Sequence, residues 1–236
     1  MRTIADCHIH TVASQHAYST ITEYCRHAFK TGLKIVGVTD HGPAMADGPH
    51  EYYFLNLRIL PRQLEGVTLL RGAELNIIDD SGALDLRSHI LTDLDYAIAS
   101  YHNGIFPYYY TSQQLTQGFL KAMDEPKVKI LGHPDNPRVP IDQEAVLLKA
   151  KEKGILIEVN NASYGYIRPG SYEEGTKLLT LAKKIGNAII INSDAHFHED
   201  VGNVPRALQL VKDVDYPKEL IVNLSVERMK DFFADV

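Results

Sequence analysis

The 236-residue sequence has few cysteines, no excess of positive charge and no long apolar run. Its two cysteines, Cys7 and Cys25, are too few and too far apart for a disulfide framework or a CxxC metal site. The N-terminal sequence MRTIADCHIH lacks the charged and then apolar layout of a signal peptide, and no apolar run is long enough to cross a bilayer. We therefore expect a cytoplasmic protein with no membrane partner.

The charge balance argues against a second class of partner. The chain has 24 lysines and arginines against 30 aspartates and glutamates, which gives a formal net charge of −6. Because no basic run interrupts this balance, the sequence disfavours nucleic acid as a partner. Hydrophobic residues make up 44% of the chain, which is enough to bury a sizeable core.

Short apolar runs typical of buried strands alternate with amphipathic stretches along the whole chain. Strands are predicted at 3–7, 34–39, 67–75, 96–100, 128–131, 155–160, 188–192 and 220–223. Helices are predicted at 20–31, 111–123, 142–153, 172–185, 204–211 and 226–234. Thr20 and Ser171, each with a glutamate three positions later, indicate capping boxes. The alternation predicts an α/β fold of parallel strands joined by crossover helices, closed into a barrel within one domain, 1–236.

Side chains of the types that bind metal ions lie at or just after the ends of most predicted strands. They are His8, His10, His16, His41, Glu74, His102, His133, Asp194 and His196. A single histidine in such a place is often a capping or core residue. Because the carboxyl ends of parallel strands meet at one end of a barrel, the recurrence favours a shared metal site there.

The first strand shows how two of these ligands would meet. Side chains alternate along a strand, so His8 and His10 are expected on one face, with Asp6 before them. Cys7 and Ile9 are then expected on the opposite face, and Cys7 should face the helices. One face of the strand would thus offer two imidazoles to one ion.

The number of ligands predicts more than one metal ion. A catalytic zinc uses about three protein ligands and a water, so nine ligands suit two or three ions. Neutral imidazoles with carboxylates suit Zn²⁺, Mn²⁺ or Fe²⁺. Glu74 can bridge two cations as no imidazole can, although a salt bridge to Arg71 is the alternative explanation. Such a cluster activates water and neutralises an anionic substrate, which predicts hydrolysis.

Five motifs together resemble the signature of the PHP (polymerase and histidinol phosphatase) superfamily. They are DCHIHT (6–11), TDHG (39–42), GAELN (72–76), GHP (132–134) and NSDAH (192–196). The segments 12–20 and 40–50 look closer still to the YcdX-type bacterial phosphatases. This resemblance covers nearly the whole chain, and the combination of motifs is highly specific.

The resemblance implies a distorted (β/α)₇ barrel of TIM-like type, with the metal site at the C-terminal ends of the strands. It implies three divalent metal ions, usually zinc. The first would be held by His8, His10, Glu74 and Asp194. Glu74 would bridge to a second ion held by His102 and His133. The third would be held by His16, His41 and His196.

The sequence and the resemblance together predict a metal-dependent phosphatase. It would hydrolyse a small phosphate monoester through a metal-bound hydroxide, without a protein nucleophile. Arg168 follows the predicted strand 155–160 and would clamp the phosphate, unless it is a solvated loop charge. Asn161 is expected at the same end of the barrel and would donate to the substrate.

Three other functions stay open at this point. A phosphodiesterase or nuclease acting on nucleic-acid ends is disfavoured by the acidic charge. An amidohydrolase also begins with HxH, but one or two ions would leave several of the nine ligands without a role. A non-catalytic metal-binding regulatory module usually lies within a larger protein and has lost ligands. A homo-oligomer is also open, because a closed barrel has no free sheet edge from which to predict pairing.

Overall fold

Seven parallel strands frame the fold in the computed structural model, which describes residues 1–107 and 109–233. They are β1 (Ala5–Asp6), β2 (Ile35–Val38), β4 (Val67–Asn76), β5 (Tyr96–Ser100), β6 (Val128–Leu131), β7 (Leu156–Asn160) and β8 (Ile189–Asn192). A short β3 (Gln63–Leu64) pairs antiparallel with β4. The seven strands are neighbours in chain order, as successive crossover connections require. The prediction of a distorted (β/α)₇ barrel is confirmed.

The barrel is nearly closed, and its distortion lies between β1 and β8. These strands do not share a regular ladder, but Ile9 and Ala195 form a parallel bridge beyond their ends. The buried Asn223 fills the gap below this bridge. Its Nδ2 donates to the carbonyls of Ala5 at 2.9 Å and Ile191 at 2.6 Å, and its Oδ1 accepts from the Ile191 amide at 3.1 Å. One amide side chain thus replaces strand pairing between β1 and β8, which form the seam of the barrel.

We expect Asn223→Ala to lower the free energy of unfolding by about 3 kcal/mol. A buried backbone group left without its partner costs roughly 1–3 kcal/mol. This substitution removes the hydrogen-bond partner of backbone carbonyls on both β1 and β8. Urea denaturation measures the difference. Asn103→Ala, at an exposed loop position, is the matched control and should change stability little. Equal stability of the two variants would show that the seam does not depend on Asn223.

Eight helices are described. They are α1 (Ile21–Thr31), α2 (Glu51–Asn56), α3 (Ser88–Leu91), α4 (Ser112–Ala122), α5 (Gln143–Lys153), α6 (Ser171–Ile185), α7 (Pro205–Asp213) and α8 (Val226–Phe232). The short α2 and α3 were not predicted. Among the described residues, no helix combines the length and the apolar character that crossing a bilayer requires.

Some helix and strand predictions hold and others are wrong. The capping box at Thr20 is confirmed, and α1 ends at Gly32 in the left-handed conformation with φ 84°. The box at Ser171 is wrong, because Gly170 is the N-cap and Ser171 is already helical. The predicted strand 220–223 is wrong too, because 3₁₀ turns occupy 218–220 and 222–224, with one bridge to β8. Of the predicted helix 226–234, residue 234 lies outside the described residues.

The core has an inner and an outer layer. The inner layer, inside the barrel and below the ligands, includes Tyr96, Ile98 and Ile130, joined by Met229 and Phe233 from the C-terminal segment. The outer layer packs the strands against the helices. Both faces of the sheet are therefore packed largely with apolar side chains.

Cys7 lies in the inner layer, so the expectation that it faces the helices is wrong. The reason is that β1 already ends at Asp6, and strict alternation does not continue through residues 6–10. Ile9 does face outward, against α1. Two side chains expected on one face thus point to opposite sides of the sheet.

Candidate metal centre

The nine sequence-predicted ligands converge at the C-terminal ends of the strands. His8 and His10 follow β1, and His16 lies in the loop that leads to α1. His41, His102 and His133 follow β2, β5 and β6, while Glu74 lies near the end of β4 and Asp194 and His196 follow β8. The barrel therefore brings residues from six strands to one place.

Glu74 lies at the centre of this cluster and is almost completely buried. Its Oε2 is 2.9 Å from His41 Nδ1 and 3.3 Å from His8 Nε2. Its Oε1 is 3.0 Å from His133 Nε2 and 3.3 Å from His102 Nε2. His10 Nε2 lies farther from Oε2, at 3.6 Å. Each oxygen therefore faces a different set of imidazoles, which is the placement that a carboxylate shared between two cations needs.

A second carboxylate faces the two histidines of the first motif. Asp194 Oδ1 is 3.1 Å from His10 Nε2 and 3.6 Å from His8 Nε2, and the two Nε2 atoms are 3.1 Å apart. Asp194 has a backbone φ of 59° and His133 one of 31°. Such left-handed conformations cost non-glycine residues roughly 1–3 kcal/mol and cluster at functional sites.

The outer edge of the cluster contains His16 and His196. Their Nε2 atoms are 2.9 Å apart, and the His196 Nδ1 lies 3.0 Å from the Asp194 carbonyl oxygen. The ring of His196 also packs on His10, with centroids 4.4 Å apart. Imidazoles therefore form a continuous row from the buried interior to the surface.

The buried atoms of this cluster fit a divalent cation. Within the described residues, the Nδ1 of His10 and the Nε2 of His102 make no hydrogen bond, and the Nδ1 of His41 and the Oε2 of Glu74 make none of good geometry although they lie 2.9 Å apart. Leaving such atoms buried and unpaired is costly, and a cation would satisfy those that face the cluster. Imidazole nitrogens with carboxylate oxygens are the donors that Zn²⁺, Mn²⁺ and Fe²⁺ prefer.

Among the described residues, three sets of side chains each bring their possible ligand atoms within 4.8 Å of one another. They are His8, His10 and Asp194; His41, Glu74 and His102; and His10, His41 and His196. The first set contains three of the four residues that the resemblance implies for one ion. The other two sets group the predicted ligands differently from the resemblance. The reason is that His10 and His41 each belong to two of the three sets.

Burial and neighbouring charges favour metal-binding protonation states at His10, His133 and Glu74, whereas at His8 and His41 neighbouring carboxylates outweigh burial and raise the pKa. Burial, reinforced by His41, lowers the pKa of His10 well below its usual value, and burial with Arg168 lowers that of His133 to about 4. Burial alone would raise the pKa of Glu74, but His102 and His8 hold it well below its usual range. Neutral imidazoles and ionised carboxylates are the forms that bind metals.

Glu158, on β7, contacts two of the predicted ligands, although the sequence assigns it no role. Its Oε1 accepts from His8 Nδ1 at 2.6 Å, and its Oε2 accepts from the His133 amide at 2.9 Å. Amide groups of Asn160 and Asn192 also donate to it. The signal was available, since Glu158 is a carboxylate within an apolar strand, as Glu74 is.

Further side chains orient the outer ligands. Asn76 Oδ1 lies 2.7 Å from His102 Nδ1, and the Asp47 carboxylate contacts His16 Nδ1. Such contacts fix the ring orientation of a metal ligand. Asp6 does not share the face of His8 and His10 as expected. It accepts instead from the hydroxyl of Ser193 and, at 2.8 Å, from the amide of Gly202.

A cavity of about 550 Å³ opens above the ligands, and both predicted substrate residues line it. Arg168 Nη1 is 3.0 Å from Ser163 Oγ and 3.5 Å from Asp194 Oδ2, so its guanidinium lies beside the metal cluster. Asn161 Oδ1 is occupied at the start of α7, where it accepts from the amides of Arg206 and Ala207. None of the side-chain hydrogen bonds of Asn161 within the described residues uses its Nδ2 group.

The chain matches one family model over part of its length and is similar to two relatives over nearly all of it. The family model described as PHP domain matches residues 6–162. A probable phosphatase of Caldanaerobacter subterraneus subsp. tengcongensis is 43% identical over 100% of this chain and 92% of its own. A probable phosphatase of Clostridium novyi is 45% identical over 97% of this chain and 93% of its own.

Solved structures show the same fold at low sequence identity. The histidinol phosphate phosphatase of Lactococcus lactis, complexed with zinc, L-histidinol and phosphate, has a TM-score of 0.64 at 16% identity. The match covers 92% of this chain and 95% of that one. A chain of an archaeal ribonuclease P complex with mature tRNA has a TM-score of 0.60 at 14% identity. From the family match and the relatives above 40% identity, the chain belongs to the PHP domain family.

Proposed function

We propose that this protein is a metal-dependent phosphatase that hydrolyses a small phosphate monoester at a site for three divalent ions, most simply Zn²⁺. The observation that carries the proposal is the convergence of seven imidazoles and two carboxylates under one open cavity, with an arginine beside them. The probable-phosphatase names of the relatives support it, as does the zinc and phosphate complex of the Lactococcus lactis neighbour.

Each ligand would have a defined role in this proposal. His8, His10, Glu74 and Asp194 would hold the first ion, and Glu74 would share the second with His102 and His133. His16, His41 and His196 would hold the third. Divalent ions bound here would lower the pKa of a coordinated water and neutralise charge on the phosphate oxygens.

Arg168 would bind the phosphate through the part of its guanidinium that protein contacts leave free. Both of its described contacts in the cavity, to Ser163 and Asp194, use Nη1. The planar group is thus held in place while its other nitrogens remain for phosphate oxygens. Asn161 Nδ2 would add a donor at the same wall of the cavity.

Arg168→Ala is expected to raise KM for a phosphate monoester roughly 10- to 100-fold, because a hydrogen bond to a charged group contributes about 1.5–3 kcal/mol. Its metal content should stay at the wild-type value. Steady-state kinetics and elemental analysis on the same protein measure the two effects. Arg26→Ala, which removes an exposed arginine paired with Glu65, is the matched control. An unchanged KM would mean that Arg168 does not bind substrate.

The proposal is tested by comparing p-nitrophenyl phosphate with bis(p-nitrophenyl) phosphate, using protein loaded in turn with Zn²⁺, Mn²⁺ or Fe²⁺. We expect hydrolysis of the monoester to exceed that of the diester. A preference for the diester would favour the phosphodiesterase function instead. Inertness to both substrates with every metal would contradict a phosphoesterase of either kind.

A further inference from the structure

The metal cluster is strongly asymmetric between its interior and its surface. The side chains of His8 and His10 are 0% exposed, and that of Glu74 is 1% exposed. The side chains of His16 and His196 are 44% and 30% exposed. An ion bound by the outer histidines would therefore meet solvent directly, whereas an ion bound inside would not.

The negative charge of the ligands is also concentrated inside. Glu74 and Asp194 supply both predicted carboxylate ligands, and their closest contacts are to His10, His41 and His133, of which only His41 belongs to the proposed outer set. The nearer Asp194 carboxylate oxygen is 3.8 Å from a ring nitrogen of His196. Because His16 and His196 bring no negative charge of their own to the outer edge, the outer ion should be bound least tightly.

One carboxylate that is not a predicted ligand offsets this lack of negative charge at the outer edge, through its contact with an outer histidine. Asp47, in the loop after β2, contacts His16 Nδ1, while His16 Nε2 faces His196. The same loop is fixed to the His16 loop through the backbone, because the Gln15 amide donates to the Asp47 carbonyl at 3.1 Å. A carboxylate on the far nitrogen fixes the tautomer of a histidine ligand and raises its basicity.

We propose that the outer metal position is exchangeable and that Asp47 is the positioning residue that sets its occupancy. The inference rests on the proposed function, because it takes His16, His41 and His196 as the ligands of that ion. The protein would then keep two ions bound tightly and would take up the third according to the metal concentration. Asp47 would act only through His16.

Metal content is the direct test. Wild-type protein and Asp47→Asn are loaded with Zn²⁺, dialysed against chelators of increasing strength and analysed for zinc per chain. The wild type should release one ion before the other two. Asp47→Asn should release that ion at a free zinc concentration roughly 10- to 100-fold higher, with the other two unchanged. Asp93→Asn, an exposed aspartate paired with Arg58, should behave as wild type.

The unfolding temperature of the metal-free proteins separates positioning from a structural role, and it should be the same in the wild type and in Asp47→Asn. If it is lowered, Asp47→Glu, which keeps the carboxylate, should restore the third ion. Release of all three ions together, or equal release from Asp47→Asn and the wild type, would overturn the inference. Because zinc is counted directly, failure of the phosphatase proposal would appear separately, as inertness to both nitrophenyl substrates.

Discussion

Replacing Glu74 with alanine is expected to abolish turnover and to remove two metal ions. The two carboxylate oxygens face different pairs of histidines, at 2.9–3.3 Å, so neither pair keeps its shared negative partner after the substitution. Cationic stabilisation of the transferring phosphoryl group contributes several kcal/mol. We therefore expect kcat to fall on the order of 10³-fold or more.

Zinc per chain, measured after dialysis against a weak chelator, separates this effect from simple unfolding. Glu74→Ala should retain at most one ion, whereas Glu152→Ala, which removes an exposed glutamate on α5, should retain all of them. Circular dichroism of both variants checks that the barrel is intact. Full metal content with full activity in Glu74→Ala would contradict the bridging role.

The fold was predictable because each parallel strand is buried on both faces. Such strands appear in the sequence as short apolar runs, and seven of the eight predicted strands are present. The eighth, 220–223, has the same apolar character, but Asn223 within it is used to join β1 and β8. Composition does not distinguish a strand from an apolar segment that closes a seam, since the difference lies in long-range partners.

The convergence of the nine predicted ligands could be expected from their positions in the sequence, whereas the groups that contact them could be expected only in part. A single histidine after an apolar strand is often a capping or core residue, but such residues recur at the ends of most strands, and all nine lie in one cluster. Glu158 gave a comparable signal within β7, but its partner His8 is 150 positions away along the chain. Asp47 lies in a polar loop, where an aspartate is ordinary, so only the structure shows its contact with His16.

The remaining differences between prediction and structure arise in the first strand, where the side chains do not alternate as expected. The alternation argument placed Asp6 with the ligands and Cys7 with the helices, but β1 is only two residues long. Beyond Asp6 the backbone follows the seam with β8, where His8 O accepts from the Asp194 amide at 3.0 Å. His8 and His10 converge nevertheless, because both are held by carboxylates from other strands. Long-range contacts, which the sequence does not display, decided the orientation here.

Glu158→Gln is expected to weaken zinc binding roughly 10- to 100-fold while the barrel stays folded. The glutamine keeps the size of the side chain and one oxygen. It loses the negative charge, however, and places an amide where either His8 Nδ1 or the His133 amide needs an acceptor. Because His8 and His133 are ligands of different ions in our proposal, the binding of both ions should weaken together.

Competition with a chromophoric zinc chelator measures this change, and Glu144→Gln on α5 is the matched control for a glutamate outside the site. A purely structural role would lower the unfolding temperature of the metal-free protein while leaving zinc affinity per folded chain unaltered, and that result would contradict our interpretation. The opposite result would make Glu158 the residue that couples the two inner ions. Its buried carboxylate fixes the side chain of His8, a ligand of the first ion in our proposal, and the backbone of His133, a ligand of the second.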